Sequence, residues 1–340
     1  MKNQIKDKEI RIVVDNVLIS DKAVAEIEAL SDKVKVVKQL NHQALVKADI
    51  IYTARAEFDM KKVKNLQLIQ TESATISHLI GTPAAKSGIP IANAGGAFSQ
   101  NVAEHAMGLM LAIMRNFREF LSMQYNKQWP ESPELSHQKF WGHGLYGKNL
   151  GILGYGSIGR QIGRIASAMG MKVLAYSRTG EKKAQDKFIF PNTGDPEGLI
   201  PDKWFVENEL ESMLPLCDAV IMVLPLTKKT HHLIGEKELA MLSNHSFFID
   251  VGRGGVLDLD ALCIALKSGK LAGAALDVFE EEPLPKDHLL WNDEKVILSP
   301  HIGSGTQDRI DQAAAILREN VSRLLNDQPF MNVVNFKKQY

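Results

Sequence analysis

The stretch NLGILGYGSIGRQIGRIASAMGMKVLAYSRT, Asn149 to Thr179, decides the fold. An apolar run, NLGIL, leads directly into Gly154-Tyr155-Gly156-Ser157-Ile158-Gly159. A helix-compatible run, RQIGRIASAM, follows, and a second apolar run, KVLAY, closes the unit. Glycines also mark ordinary turns, so G-x-G-x-x-G alone is weak evidence. Between a strand and a helix its glycines share one purpose. Gly154 allows a tight turn, Gly156 lets backbone approach a pyrophosphate, and Gly159 permits close helix–strand packing. The helix start, at Ser157 and Ile158, is aimed at the anion. The stretch is a dinucleotide site on a parallel sheet.

The end of KVLAY is where an acidic residue ordinarily accepts hydrogen bonds from the ribose of NAD. Here Ser177, Arg178 and Thr179 stand instead. Without the carboxylate a 2′-phosphate meets no repulsion, and an arginine pairs with it through a planar fork. The bland reading is a surface arginine in a loop. The expected cofactor is NADP(H), with NAD(H) as the alternative.

Outward from this unit, the 340 residues exceed what one core usually organises, so two domains are expected. A chain 45% hydrophobic and 24% charged is an ordinary globular one, neither disordered nor fibrous. Forty basic residues against forty acidic ones leave no global field for nucleic acid or anionic lipid. Cys217 and Cys263 are too few for a disulfide framework, lack zinc-like spacing, and read as buried thiols. The opening MKNQIKDKEIRIVVD has no signal-peptide apolar run, and no segment is long and apolar enough to span a membrane. A cytoplasmic protein is expected.

Short β-branched runs alternate with helical stretches along the chain, as in parallel α/β sheets. The first series has strands at Ile10–Val14, Val34–Val37, Ile50–Tyr52, Leu68–Thr71 and Ile89–Ala92, with helix-like segments at Lys22–Leu30 and Met60–Val63. One apolar helix is expected from Asn101 to about Phe120, then an irregular aromatic-bearing arm from Asn126 to Gly147. The second series has strands at Asn149–Leu153, Val173–Tyr176, Ala219–Leu224, Ser246–Val251, Ala272–Leu276 and Val296–Leu298. A last helix near Gln307–Asn326 leaves Val333–Val334 to rejoin the first sheet. The fold class is α/β, with two Rossmann-like doubly wound parallel-sheet domains. Residues 1–102 and 304–340 make a discontinuous outer substrate domain, and 103–303 the dinucleotide-binding domain, with an arm at about 116–147.

Reducing a 2-oxo acid requires a group that holds the carboxylate, and a proton donor that stays charged near neutral pH. Histidine suits the second task, and a carboxylate on its other ring nitrogen orients it and favours its charged form. Arg253 (VGRGGVLD), Glu282 (LDVFEEEPLP) and His301 (LSPHIGS) all follow strands of the second series. The carboxyl ends of parallel strands form the ligand crevice.

These motifs resemble the D-isomer-specific 2-hydroxyacid dehydrogenase family. GILGYGSIGRQIGR, VIMVLPLTKKTHHLI, HSFFIDVGRGGVLDLDAL, AALDVFEEEPLP and SPHIGS stand in the family's order. The resemblance implies that Arg253 binds substrate carboxylate and carbonyl, His301 is the acid/base, and Glu282 is its partner. It implies that Asp277 contacts the nicotinamide carboxamide, and that Leu224, Pro225 and Thr230 line the cofactor cleft. Asp277 also reads as a cap. In the outer domain it places Ala74 and Thr75 in a loop whose N–H groups bind substrate carboxylate. There Thr75 and Ser77 replace a glycine and an aspartate of the family pattern. Arg55 falls at the cleft mouth, either recognising a second anionic group or simply solvated. In IANAGGAFSQNVAEHAMGLMLAIMR, Asn93, Asn101, Glu104 and His105 read as fixing the domain junction. The polar stretch Thr179–Asp202 reads as a loop flanking the adenosine end. Glu280 and Glu281 read as solvent-facing; His231 and His232 lack metal-like partner spacing, and no metal is expected. The implied assembly is a homodimer acting on a small 2-oxo or 2-hydroxy acid. The rival reading is a nucleotide-sensing regulatory protein on the same fold without significant turnover.

Overall fold

The computed structural model describes residues 9–15, 17–38, 41–179 and 187–336, apart from the side chains of His42, Ser77, Gln138 and Lys139. The first eight residues and 180–186, part of the 179–202 loop, lie outside the described residues. The chain divides into two compact units. The first comprises Met1–Phe98, Asp186–Pro191 and Thr306–Tyr340; the second comprises Ser99–Gln185 and Asn192–Gly305.

In chain order the first unit begins with β1 (Ile10–Asp15), α1 (Asp21–Glu28), β2 (Val34–Val37), α2 (His42–Lys47), β3 (Ile50–Thr53), β4 (Leu68–Thr71), α3 (Pro83–Lys86) and β5 (Ile91–Ala92). The second unit follows with α4 (Ser99–Met114), α5 (Phe117–Tyr125), α6 (Pro133–Phe140), β6 (Asn149–Leu153), α7 (Ser157–Ala168), β7 (Lys172–Tyr176) and β8 (Lys203–Phe205). It continues through α8 (Leu210–Met213), β9 (Ala219–Met222), α9 (Glu236–Met241), β10 (Phe247–Asp250), α10 (Leu259–Lys267), β11 (Gly273–Leu276) and β12 (Val296–Leu298). α11 (Arg309–Leu325) returns to the first unit.

Both sheets are wholly parallel, as the alternating pattern implied. The first runs β2-β1-β3-β4-β5 and the second β12-β11-β10-β9-β6-β7-β8. In the first, the two-residue side-chain period sorts the core. Val13, Ile51, Ile69 and Ile91 are register partners on one face and pack with Ala44 and Leu45 of α2. Ile12, Ile50 and Leu68 face the other way, onto Leu317 and Val321 of α11. In the second, chain order reverses between β6 and β9, so the crevice of a doubly wound sheet opens at the end of β6.

Several local expectations change. Met60–Val63 is a turn, since four residues nucleate no helix without tertiary support. The expected single helix from Asn101 to Phe120 is broken at Asn116, whose φ of 54° is left-handed. The arm then folds back: His143 N–H donates to Met114 O at 2.7 Å, and Asn116 Nδ2 to Trp141 O at 2.9 Å. The arm is not wholly irregular, because Ser132 caps α6 by accepting from Leu135 N and Pro133 starts it. The short β8 had no readable pattern and forms by pairing with β7. β5 is only two residues, and Val333 bridges Ala92 antiparallel beside it. Cys217 is buried as expected, whereas Cys263 is only half-buried.

One polar cluster closes the first unit. Gln70 points to the α11 face, fully buried; its amide donates to Thr71 O and Ala92 O and accepts from Asn320 Nδ2 at 2.8 Å. Asn320 Oδ1 accepts from Met331 N at 2.7 Å and so ties down the C-terminal segment. Asn320→Ala would strand buried groups on Gln70 and Met331, and is expected to cost about 2–4 kcal/mol in urea unfolding. A loss near zero would show that water replaces the amide.

Candidate active site

The glycine turn has the geometry its sequence implied. Gly154, at φ 103°, follows β6, and its N–H donates to Tyr176 O at 3.0 Å. A Cβ on Gly159 would collide with Gly154 O, so the helix start can sit this close to the strand end only as glycine. Before the first turn of the 12-residue α7 lies open space: a Cβ on Gly156 would meet nothing within 4 Å. No acidic residue stands in that turn, and the first N–H groups of a helix have no partner within it. A pyrophosphate fits this donor set and this space.

Tyr155, inside the turn, is held from outside. Its hydroxyl donates to Asp195 Oδ2 at 3.0 Å, and Asp195 also accepts from Leu199 N and Ile200 N. Arg160 Nη1 donates to Asp195 O. Gly194 and Asp195 of the 179–202 loop therefore pack onto the turn and α7, a partnership no sequence spacing announced. Ser177 follows β7 with its N–H donating to Phe205 O, and Arg178 and Thr179 are exposed just beyond. In the loop after β9, Thr230 Oγ1 donates to Pro225 O at 2.7 Å and accepts from Thr227 N. This hydroxyl shapes the loop that carries Leu224 and Pro225.

Glu282 and His301, 19 residues apart in sequence, meet. His301 Nδ1 lies 2.8 Å from Glu282 Oε2, and Phe279 N–H donates to Glu282 Oε1 at 3.0 Å. A carboxylate only accepts, so Nδ1 carries the hydrogen and Nε2 is the nitrogen not committed to Glu282. His301 has a left-handed backbone, φ 54°, a conformation that persists where surroundings over-determine it. Beside the pair is a cavity of about 540 Å³ with apolar walls from Phe279, Leu284, Trp291, Leu298 and Pro300.

Asp277 supplies the constraint on His301. It is buried at the end of β11 and accepts from Ser299 Oγ (2.6 Å), Ile302 N (3.0 Å) and Gly303 N (2.9 Å), with His105 Nε2 3.2 Å away. Burial alone would raise its pKa. Hydrogen bonds from His105, Ser299, Ile302 and Gly303 outweigh that and hold it at about 2. The sequence reading gives His105 a structural role and does not reach Ser299; the one signal in the residue string is that Ser299 stands two residues before His301.

Arg253 follows β10, half-buried, with Nη1 donating to Gly252 O at 2.7 Å. Asp250, the last residue of β10, is buried, and burial pushes its carboxyl up to about 8. The Gly252 N–H and Arg253 oppose the shift, while the Asp277 charge adds to it.

In the first unit, Arg55 is exposed beyond β3. Beyond β4, Thr75 N–H donates to Ser73 Oγ at 3.1 Å, and Asn93 Nδ2 donates to Ala74 O. The Ser73 hydroxyl thus occupies one of the two backbone donors expected for a substrate carboxylate. The Ser77 side chain lies outside the described residues.

His231 and His232, which have no metal-like spacing in sequence, meet a partner in space: Glu280, exposed as expected, lies 3.4 and 3.0 Å from their Nε2 atoms. The partner is 48 residues away from His232, beyond any local spacing rule.

Asp250 carries a signed pH dependence. Its folded pKa lies above the ordinary aspartate value, so its contribution to stability is full below about pH 4 and is lost as pH rises through about 8. Asp250→Asn holds the neutral form at every pH and keeps the acceptor for Gly252. Its stability relative to wild type is expected to rise between pH 4 and 8 in denaturant titrations; parallel curves would refute this.

The family pattern of the D-isomer specific 2-hydroxyacid dehydrogenase, NAD binding domain, matches residues 107–303. The chain is 33% identical over 277 residues to the glyoxylate reductase of Thermococcus litoralis, covering 81% of this chain and 79% of that one. It is 33% identical over 276 residues to the D-3-phosphoglycerate dehydrogenase of Methanocaldococcus jannaschii, spanning 81% of this chain but only 49% of that protein. Among solved structures, a D-isomer specific 2-hydroxyacid dehydrogenase family protein from Aeromonas salmonicida superposes with a TM-score of 0.73. The two share 27% identity over 97% of this chain and all of the other. With a matched pattern across more than half its length and the parallel-sheet architecture to accompany it, the chain belongs to the D-isomer specific 2-hydroxyacid dehydrogenase family.

Proposed function

We propose that the protein is an NADP(H)-preferring reductase that converts a small 2-oxo acid to its D-2-hydroxy acid. The observation that carries this reading is the His301–Glu282 pair at 2.8 Å, on loops following β11 and β12 of the sheet whose β6 ends in the glycine turn. Relatives named glyoxylate reductase support the substrate class. Domain assignments follow the same reading: 1–102 with 304–340 for substrate and 103–303 for the dinucleotide.

Gly154, Gly156, Ser157, Ile158 and Gly159 would hold the pyrophosphate, and Leu224, Pro225, Thr230 and Asp277 the remaining length of the cofactor. A nicotinamide bound there would supply hydride to the carbonyl carbon. Arg253 binds the carboxylate and polarises the carbonyl. His301 Nε2 donates the proton to the carbonyl oxygen as negative charge develops there. Glu282 holds the ring through Nδ1 and so directs Nε2 to the substrate. Phe279 N–H keeps Glu282 from rotating away. Ala74, Thr75 and Arg55 are assigned to substrate in the first unit. Exposed Tyr125, Trp129, Trp141 and Tyr146 along α5, α6 and their flanks support a homodimer, since apolar surface of that extent marks an interface. The described residues include no helix long and apolar enough to cross a membrane.

Initial rates of NADPH and NADH oxidation with glyoxylate, hydroxypyruvate, pyruvate and bulkier 2-oxo acids test this reading. Turnover preferring NADPH is expected. Tight cofactor binding without turnover on any oxo acid would transfer the weight to the nucleotide-sensing alternative. His301→Asn is expected to lower kcat by about 10²–10⁴-fold with cofactor affinity nearly unchanged. Equal loss of both would refute its role as proton donor.

The 2′-phosphate assignment has its own test. Arg178→Ala is expected to weaken NADPH by about tenfold, the worth of one charge-assisted hydrogen bond, and to leave NADH unaffected. Parallel loss for both cofactors would remove the basis for the preference.

A further inference from the structure

We propose that His231, His232 and Glu280 form a binding site for a divalent transition-metal ion of the zinc type, separate from the groups assigned to hydride and proton transfer. Each residue offers one ligand atom, and the three atoms lie within 4.8 Å of one another. His231 Nε2 is 3.4 Å from Glu280 Oε1, and His232 Nε2 is 3.0 Å from Glu280 Oε2. Zinc takes imidazole nitrogen and carboxylate oxygen at about 2.0–2.2 Å, so two such ligands at tetrahedral angles stand about 3.3 Å apart. Both distances bracket that separation. The two rings stack 24° from parallel, so one imidazole must turn about its side-chain torsions for both Nε2 lone pairs to meet one ion, a movement these exposed side chains allow.

The cluster is built by the fold. His231 N–H donates to Thr227 O at 3.0 Å, closing the turn before it. His232 has φ 50° and donates its N–H to Gly255 O at 2.8 Å, and the two rings stack with centroids 4.0 Å apart. A left-handed residue is what allows consecutive side chains to share one side of the chain. Glu280 comes from the loop after β11, which meets the same turn: a Cβ on Gly254 would collide with Phe279 O. Both ligand-bearing segments therefore rest on Gly254–Gly255, which fixes their separation without the ion.

Ligand chemistry sets the class of ion. Two imidazoles and one carboxylate suit zinc, nickel, cobalt or copper, whereas magnesium and calcium prefer all-oxygen sets. All three residues are exposed, so an ion enters from solvent and water completes its coordination. Glu280 lies two residues before Glu282, so an ion here ties the 227–232 loop to the segment that orients His301.

Equilibrium dialysis of the chelator-stripped full chain against ZnCl₂ tests the site. One ion per chain is expected, weakened about 10–100-fold or more by His232→Ala and by Glu280→Gln, and unchanged by His245→Ala at an exposed histidine elsewhere. Cobalt in place of zinc is expected to give a visible d–d spectrum that His232→Ala abolishes while far-ultraviolet circular dichroism stays the same. Absence of stoichiometric zinc, or equal affinity in wild type and His232→Ala, overturns the proposal. Neither readout depends on turnover, so its failure is separable from failure of the reductase reading.

Discussion

A single buried carboxylate, Asp277, organises the second unit's chemistry. Buried just beyond the end of β11, it accepts hydrogens from Ser299, Ile302 and Gly303, with His105 of α4 beside it. Three of those groups flank His301 in sequence, so the backbone that carries the imidazole is held from both sides. Donors directed at the charged form keep Asp277 ionised far into acid. By linkage its contribution to stability is present above the unfolded carboxylate pKa and is lost only as pH falls through about 2. The left-handed backbone at His301 is tolerable for the same reason, since the clamp on both sides over-determines it.

Two buried aspartates at adjacent strand ends have opposite fates. Asp277 has enough donors to remain an anion, while Asp250, one strand away, has the Gly252 N–H and the Arg253 charge, and burial prevails. The anion at Asp277 itself discourages ionisation of Asp250. The sheet edge thus keeps a fixed negative charge beneath the histidine loop and a near-neutral group beneath the arginine turn.

The acidic run Glu280-Glu281-Glu282 shows how one short loop distributes like residues. Glu282 is drawn to Phe279 N–H and His301, and Glu280 points to His231 and His232. The hydrogen bonds from the two histidines lower the pKa of Glu280, and the bond to Glu280 raises that of His232, so each stabilises the other's charge. With all three groups exposed, that mutual stabilisation is small and screened.

Much of this was legible in the residue string because it depends on local rules. The glycine turn needs φ above zero at Gly154 and no side chain at Gly159, and only glycine meets both, so strand, turn and helix could be read directly. Alternating β-branched runs foretold parallel sheets in both units, and strand-end motifs pointed to Glu282 and His301, which meet. Where local rules ran out, so did the reading. Asn116 breaks a helix that periodicity would continue, β8 exists only because β7 offers an edge, and Met60–Val63 lacks the support a short helix needs. Contacts distant in sequence leave no pattern in it: Asp195 on Tyr155, His105 and Ser299 on Asp277, Glu280 on a histidine pair 48 residues earlier. Sequence determined which chemical groups the chain carries and the elements that bear them. Tertiary structure alone decided which groups meet, because burial and hydrogen-bond partners arise only when remote strand ends are brought side by side.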